Sequence, residues 1–233
     1  AAAAAHLDAW RALDPSNALP NYLHAGQQLA GGNVEAALAL LDEAAGQPLA
    51  YRFSVLDAQA HAAALEASGV SAPTADVLAA SVAGTGEYAA LTGLGQRLLE
   101  HGAQHEAQGD TGTAQALYGA ALELGEQVDA GAAFAHERLA GLETQQQALA
   151  ALERVLAPEN QALLSESYAL LERGFNELTT LLNEMDGWFA QAPPEEAALV
   201  SSAIVEEGNL RFFDILGEIL HNLPATFDPY AAP

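Results

Sequence analysis

At 233 residues the chain is long enough for one large helical domain or two small ones. Its 31 acidic residues against 7 basic ones, all Arg, give a net charge of -24, which repels a phosphate backbone or an anionic membrane surface and disfavours nucleic acid as a partner. Cysteine is absent, which excludes a disulfide framework, a thiol nucleophile and a Cys-ligated zinc, and no window approaches the roughly 18 apolar residues of a membrane span.

Ala and Leu dominate, Val, Ile and Thr are sparse, and no run alternates with period two, so the sequence predicts helices and no strand. The acidic excess reads as a solvated surface, suited to a salty medium or a GC-rich genome; a sharper reading is a face that attracts a basic partner or cations. The chain begins with Ala1–Ala5 and no initiator Met. That predicts a trimmed or processed product, with any signal peptide or anchor upstream.

In chain order, Ala1 to Leu13 is the first predicted helix, with Leu7, Trp10 and Leu13 on one face. Asp14-Pro15-Ser16-Asn17 stops it. Ala18 to Ala30 and Val34 to Ala45 follow as a pair around Gly31-Gly32-Asn33, and Gly46-Gln47-Pro48 breaks the pattern. Tyr51 to Ala67 is a further helix, and a short one from Ser71-Ala72-Pro73-Thr74 to Val82 ends at Gly84-Thr85-Gly86. Gly95 to Gly125 is the clearest unit, two helices joined at Gly109-Asp110. Gly109 supplies the positive φ that ends a helix, and Asp110 caps the next.

The last third differs. Ala130 to Ala157 is predicted as one helix, with a kink at Gly141 and a stop at Pro158. In Glu159 to Ala190, Leu164, Tyr168, Leu171, Phe175, Leu178, Leu182, Met185 and Phe189 step by four and three, a heptad seam of nearly four heptads. Pro193-Pro194 turns the chain, and Glu195 to Leu223 is the return helix, carrying Val205, Phe212, Ile215 and Ile219. The short connection predicts an antiparallel hairpin that buries the seam within one molecule, so a monomer is expected rather than a dimer, with Leu171, Phe175 and Leu178 most buried.

Gly102, Gly109-Asp110, Ala114, Tyr118 and Ala121-Leu122 resemble the small and aromatic signature of a tetratricopeptide repeat. The departures are His105 where an aromatic is usual and the lack of a closing Pro. Trp10 to Ala44 resembles the same unit entered halfway: Asp14–Asn17 is similar to its junction, and Gly32-Asn33 and Ala37 to its turn and small contact. Asn21 stands where that family has a large apolar residue. Gly32 and Gly109 lie 77 residues apart, so an array of about 34-residue repeats needs an irregular middle unit or an insertion of about nine residues. From Asn17 to about Ala121 the pattern is also similar to uncharacterised exported bacterial helical-repeat proteins. That resemblance implies export or a cell-envelope location, with the cytoplasm as the alternative, and no activity.

The tetratricopeptide resemblance implies a concave surface lined by the first helix of each unit. Carried over by register, its residues are Leu19, Tyr22, Gly26, Leu29 and Ala30, then Gln96, Leu99, Ala103, Glu106 and Ala107. The partner-binding candidates among them are Tyr22, Gly26, Leu29, Leu99, Ala103 and Glu106. The surface is apolar with little positive charge, and so suits an apolar peptide or helix.

Catalytic signatures are weak. His101 and His105, four apart with Glu100 and Glu106 alongside, begin a metal site, but a structural zinc needs four ligands. No metal or cofactor is expected. His105-Glu106 and His136-Glu137 lack the second His of HExxH. Glu195-Glu196 and Glu206-Glu207 point about 100° apart on a helix and cannot face each other as an acid–base couple. Gly84-Thr85-Gly86 is not a phosphate loop, and no Ser sits in a GxSxG elbow.

The resulting expectation is an all-α protein: irregular tetratricopeptide-like hairpins over 1–127, an antiparallel three-helix bundle over 128–223 and an irregular tail over 224–233. The expected role is a non-enzymatic scaffold for a protein or peptide. The alternatives are a self-associating domain of a larger exported protein and, less favoured, a hydrolase-type enzyme with a sparse site at His101, His105 and Glu106.

Overall fold

The computed structural model describes residues 2–49, 52–82 and 85–208. Among them the chain is all-α, with ten α-helices and no strand. They are α1 (Ala2–Leu13), α2 (Leu19–Ala30), α3 (Val34–Ala45), α4 (Arg52–Ala67), α5 (Ala72–Val82), α6 (Thr85–Ala107), α7 (Thr111–Gly131), α8 (Ala135–Val155), α9 (Gln161–Gln191) and α10 (Pro194–Glu207). One 3₁₀ turn, Pro158–Asn160, links α8 to α9.

Three of the connections are built alike. After α2, the Gly32 N–H bonds the Leu29 carbonyl and the Asn33 N–H bonds the Gln28 carbonyl. After α4, Gly69 bonds Glu66 and Val70 bonds Leu65; after α6, Gly109 bonds Glu106 and Asp110 bonds His105. Each is a Schellman closure, with the glycine at φ +77°, +94° and +79° respectively. The middle unit, irregular by sequence, is therefore a third helical hairpin, α4–α5, turning at Gly69. Its turn lies 37 residues after Gly32 and 40 before Gly109, and these longer periods absorb the extra residues.

The α2–α3 and α6–α7 hairpins pack on each other around one core, α2 on α6 and α3 on α7, while the α4–α5 hairpin packs apart from it with α10. Leu19, Tyr22 and Leu29 of α2, Leu41 of α3, Leu91, Leu94 and Leu98 of α6, and Leu117, Leu124 and Val128 of α7 pack together. Small residues set the close approaches. A Cβ on Gly102 would collide with the Tyr118 ring. A Cβ on Gly141 would sit 2.6 Å from the Asp129 backbone N and 2.8 Å from the Gly125 carbonyl oxygen. Gly141 thus lets α7 and α8 touch, and α8 continues through it.

Several expectations change here. α6 starts at Thr85, ahead of the expected start near Gly95. The expected helix from Ala130 is split: α7 continues to Gly131, and α8 begins at Ala135. The break is held by Glu137, whose Oε2 accepts from the backbone N–H groups of Ala133 (2.8 Å) and Phe134 (3.0 Å). The expected division at residue 127 falls inside α7.

The seam on α9 is covered by α8. Leu164, Leu171 and Leu178 are buried against Leu142, Leu149 and Leu152, while Phe175 and Tyr168 are half-buried beside them. The return helix α10 packs chiefly on α5 and α4 instead of lying along the seam. Its Ile204 and Val205 join Ala58, Ala62, Ala79 and Phe134, with Leu181 and Met185 from the far end of α9. The physical reason is length: the seam extends beyond what α8 covers, and past it Leu182, expected to be buried, stands exposed, while Met185 packs with Leu181 against the α4, α5 and α10 cluster. The expected stretch 209–223 of the return helix and the tail 224–233 lie outside the described residues.

Candidate functional site

The face carried over from the repeat register divides in two. Leu19, Tyr22, Gly26 and Leu29 of α2 are buried, Tyr22 at 2% and Leu29 at 1% exposure. They are covered by α6: the place of a Gly26 Cβ lies 3.6 Å from Arg97 Nη1 and 3.9 Å from Leu94 Cδ1. Tyr22, Gly26 and Leu29 therefore form core, and no open groove runs along this face of α2. Burial pushes the Tyr22 hydroxyl far above its usual range, and the nearby charge of Glu123 adds to the shift.

On α6 the pattern differs. Gln96, Ala103 and Ala107 are exposed, and Ala30 of α2 is exposed with them. Leu99 is half-buried against both the first and second cores. Glu106 is the anchor of this strip. It accepts from the Tyr118 hydroxyl (2.7 Å) and from Arg154 Nε (3.2 Å) and Nη2 (3.1 Å) of α8. The Arg154 guanidinium also lies 5.8 Å from the centre of the Tyr118 ring. The Arg154 hydrogen bonds hold the Glu106 carboxyl below its usual range, with the Tyr118 hydroxyl contributing. The carboxylate thus ties α6, α7 and α8 at the border of the exposed strip.

His101 and His105 do not converge with other ligands. His105 Nδ1 lies 3.0 Å from Asp110 Oδ2, while Asp110 Oδ1 accepts from the Thr113 N–H at 3.2 Å. Asp110 is thereby the N-cap of α7, with its carboxyl held down first by Thr113 and then by His105. Among the described residues no three His, Asp or Glu side chains gather closely enough to hold a metal ion.

A second polar cluster sits at the α7–α8 break. His136 stacks on Phe134 and meets the Tyr88 ring edge-on, both at 5.8 Å between centres. The Tyr88 hydroxyl donates to the His136 carbonyl at 2.6 Å, and burial pushes that hydroxyl up to about 12. Arg138 bridges Asp129 (3.0 Å) and Glu177 (3.1 Å), joining α7, α8 and α9. The sequence carries one signal of this cluster: Gly131 followed six residues later by Glu137, a helix stop and then a carboxylate positioned to cap the next helix. These groups bond to backbone and to one another, which is the chemistry of a joint.

No family model, curated protein or solved structure matches the chain.

Proposed function

We propose that this protein is a non-enzymatic helical-repeat scaffold that binds a protein or peptide partner. The observation that carries the reading is the threefold recurrence of one turn, at Gly32, Gly69 and Gly109, with the same pair of closing hydrogen bonds each time. Two of these hairpins, α2–α3 and α6–α7, pack helix on helix as repeats stack, and the helices of such a stack present a surface that serves recognition. Buried Tyr22, Gly26 and Leu29 are framework in this reading. The partner-contacting positions are Leu99, Ala103 and Glu106 of α6, with exposed Gln96 and Ala107 beside them. This strip carries little positive charge, and an apolar peptide or helix suits it. A cell-envelope location fits the resemblance to exported helical-repeat proteins.

The test is selection of peptides from a displayed library on the immobilised chain, followed by solution affinities for the selected sequences. Binding should weaken by about tenfold or more in Ala103→Arg, the size expected when a bulky charge enters an apolar contact. The melting temperature should stay within a degree or so, since Ala103 is exposed. Failure to select any saturably binding peptide, or selected peptides indifferent to changes at Gln96, Ala103 and Ala107, would sink the proposal.

A further inference from the structure

At the α7–α8 joint the local sequence and the fold disagree. In sequence, residues 130–157 read as one helix, yet Ala132, Ala133 and Phe134 leave it. Ala132 sits at φ -61° and ψ 128°, and Phe134 is extended at φ -118° and ψ 148°. Neither alanine nor phenylalanine has a side chain that can cap a helix. The cap is Glu137, wholly buried, whose Oε2 accepts the Ala133 and Phe134 N–H groups. Its Oε1 is buried and has no hydrogen-bond partner. A buried charged oxygen without a donor destabilises the form that holds it. In a continuous helix the same two N–H groups would bond the carbonyls four residues back, at Asp129 and Ala130, and no carboxylate would be needed.

Packing opposes that helix. Phe134 is buried among Ala58, Ala62, Ile204 and Val205, and the Tyr88 hydroxyl of α6 holds the His136 carbonyl. The joint therefore has an apolar anchor, Phe134, and a charged one, Glu137, whose second oxygen is unsatisfied. Joining α7 to α8 would also pull α8 off α7. That uncovers the glycine contact of Gly125 with Gly141, and the apolar Leu124 and Leu149. A second copy opened in the same way supplies the matching surfaces. Each chain's α8, with α9 and α10, then lies on the other chain, and the packing of the closed form is repeated everywhere except at the joint. Short hinge connections favour such exchange.

We propose that the α7–α8 joint is a latch against exchange between two copies of this chain: Glu137 holds the closed monomer, and its release joins α7 and α8 into one helix that pairs with a second copy. The latch uses none of the α6 strip and stands independently of the scaffold reading. Two chains of net charge -24 repel, so the exchange requires screening salt.

The experiment compares Glu137→Ala with the unaltered chain by light scattering and dipolar EPR at physiological salt. Spin labels go on cysteines placed at Glu123 and Gln147, both exposed, in a chain with no other cysteine. The two positions lie at one level of the hairpin, since Tyr118 meets Arg154 and Gly125 meets Gln145. In one straight helix they would stand about 36 Å apart, at a rise of about 1.5 Å per residue. Labelled chains are diluted with unlabelled ones, so that only separations within a chain are read. The unaltered chain should be a monomer with the short separation. Glu137→Ala should have twice the mass, with the short separation replaced by the long one. Adding Ala132→Pro should return it to a monomer, because Ala132 already has a proline-like φ and proline breaks a helix interior. Should Glu137→Ala fail to fold, the unaltered labelled chain refolded at millimolar concentration carries the test, and a dimer with the long separation is expected. The proposal is overturned by a folded monomeric Glu137→Ala, by a dimer that keeps the short separation, by a dimer indifferent to Ala132→Pro, or, in the refolding, by monomer alone.

Discussion

At the scale of single residues, the fold rests on places where only one side-chain size or backbone angle will serve. Gly69 is the sharpest case, at φ +94° with no atom within 4 Å of where a Cβ would stand. Space is free there, so an alanine is penalised by backbone conformation alone, about 1–2 kcal/mol. Gly46 has φ -83° and equally open surroundings, so alanine there costs nothing and limits the unfolded chain. Gly69→Ala should therefore lower the urea midpoint by the equivalent of ~1–2 kcal/mol, while Gly46→Ala leaves it level or raises it slightly. Equal midpoints for the two variants would show that the α4–α5 turn does not demand its positive φ. Gly32 and Gly109 are legible as turn glycines because each is followed by Asn or Asp, residues that favour helix starts. Gly69 is followed by Val70, and the sequence does not set its turn apart from the many other Ala- and Gly-containing stretches.

At the scale of elements, a repeating pattern shows that a face is buried but not which neighbour buries it. The seam on α9 is legible from its 3.5-residue step. The short connection points to the return helix as its cover, whereas α8 supplies it, seated by Gly174 against Leu142. The same ambiguity affects α2. Tyr22, Gly26 and Leu29 lie on one apolar stripe, and nothing in their spacing distinguishes a groove from a core contact with α6. The α7–α8 break is only faintly marked in the sequence, since Gly131 is a lone interruption among the helix-forming Ala130, Ala132 and Ala133, and the stop is enforced by Glu137 reaching back across the junction. Burial by α8 within one chain makes a prediction. Leu171→Ala should cost about 2–4 kcal/mol, as for other large core deletions, and should leave the mass in solution unchanged. Loss of a dimer by sedimentation, with helicity kept, would mean instead that α9 is covered by a second molecule.

At the scale of the whole molecule, charge decides how stability answers to the salt around it. The chain carries 31 acidic residues and 7 Arg. Among the described residues three arginines act as bridges between elements: Arg11 joins α1 to Glu43 of α3, Arg154 joins α8 to Glu106 of α6, and Arg138 ties α8 to both Asp129 and Glu177. Each is at least partly exposed, and pairs of that kind contribute about 0–1 kcal/mol. So few arginines cannot neutralise so many carboxylates, and the acidic surplus repels itself over the whole surface. Raising salt from about 0.01 M to 0.15 M shortens the screening length from roughly 30 Å to about 8 Å. That removes most of the long-range repulsion, while the ion pairs, at 2.7 to 3.1 Å, lie well inside even the shorter length. Repulsion therefore loses more than attraction does, and the folded state gains. For a chain of this size each kcal/mol gained raises the melting temperature by roughly 2–4 °C. A rise of at least that size is expected in sodium chloride over this range, measured by circular dichroism at fixed pH. The Arg154→Gln variant should rise at least as far, because it has one bridge fewer to be screened. A melting temperature that falls with salt in the unaltered chain would show that the few arginine bridges outweigh the acidic surplus, and that this surface is held by pairing.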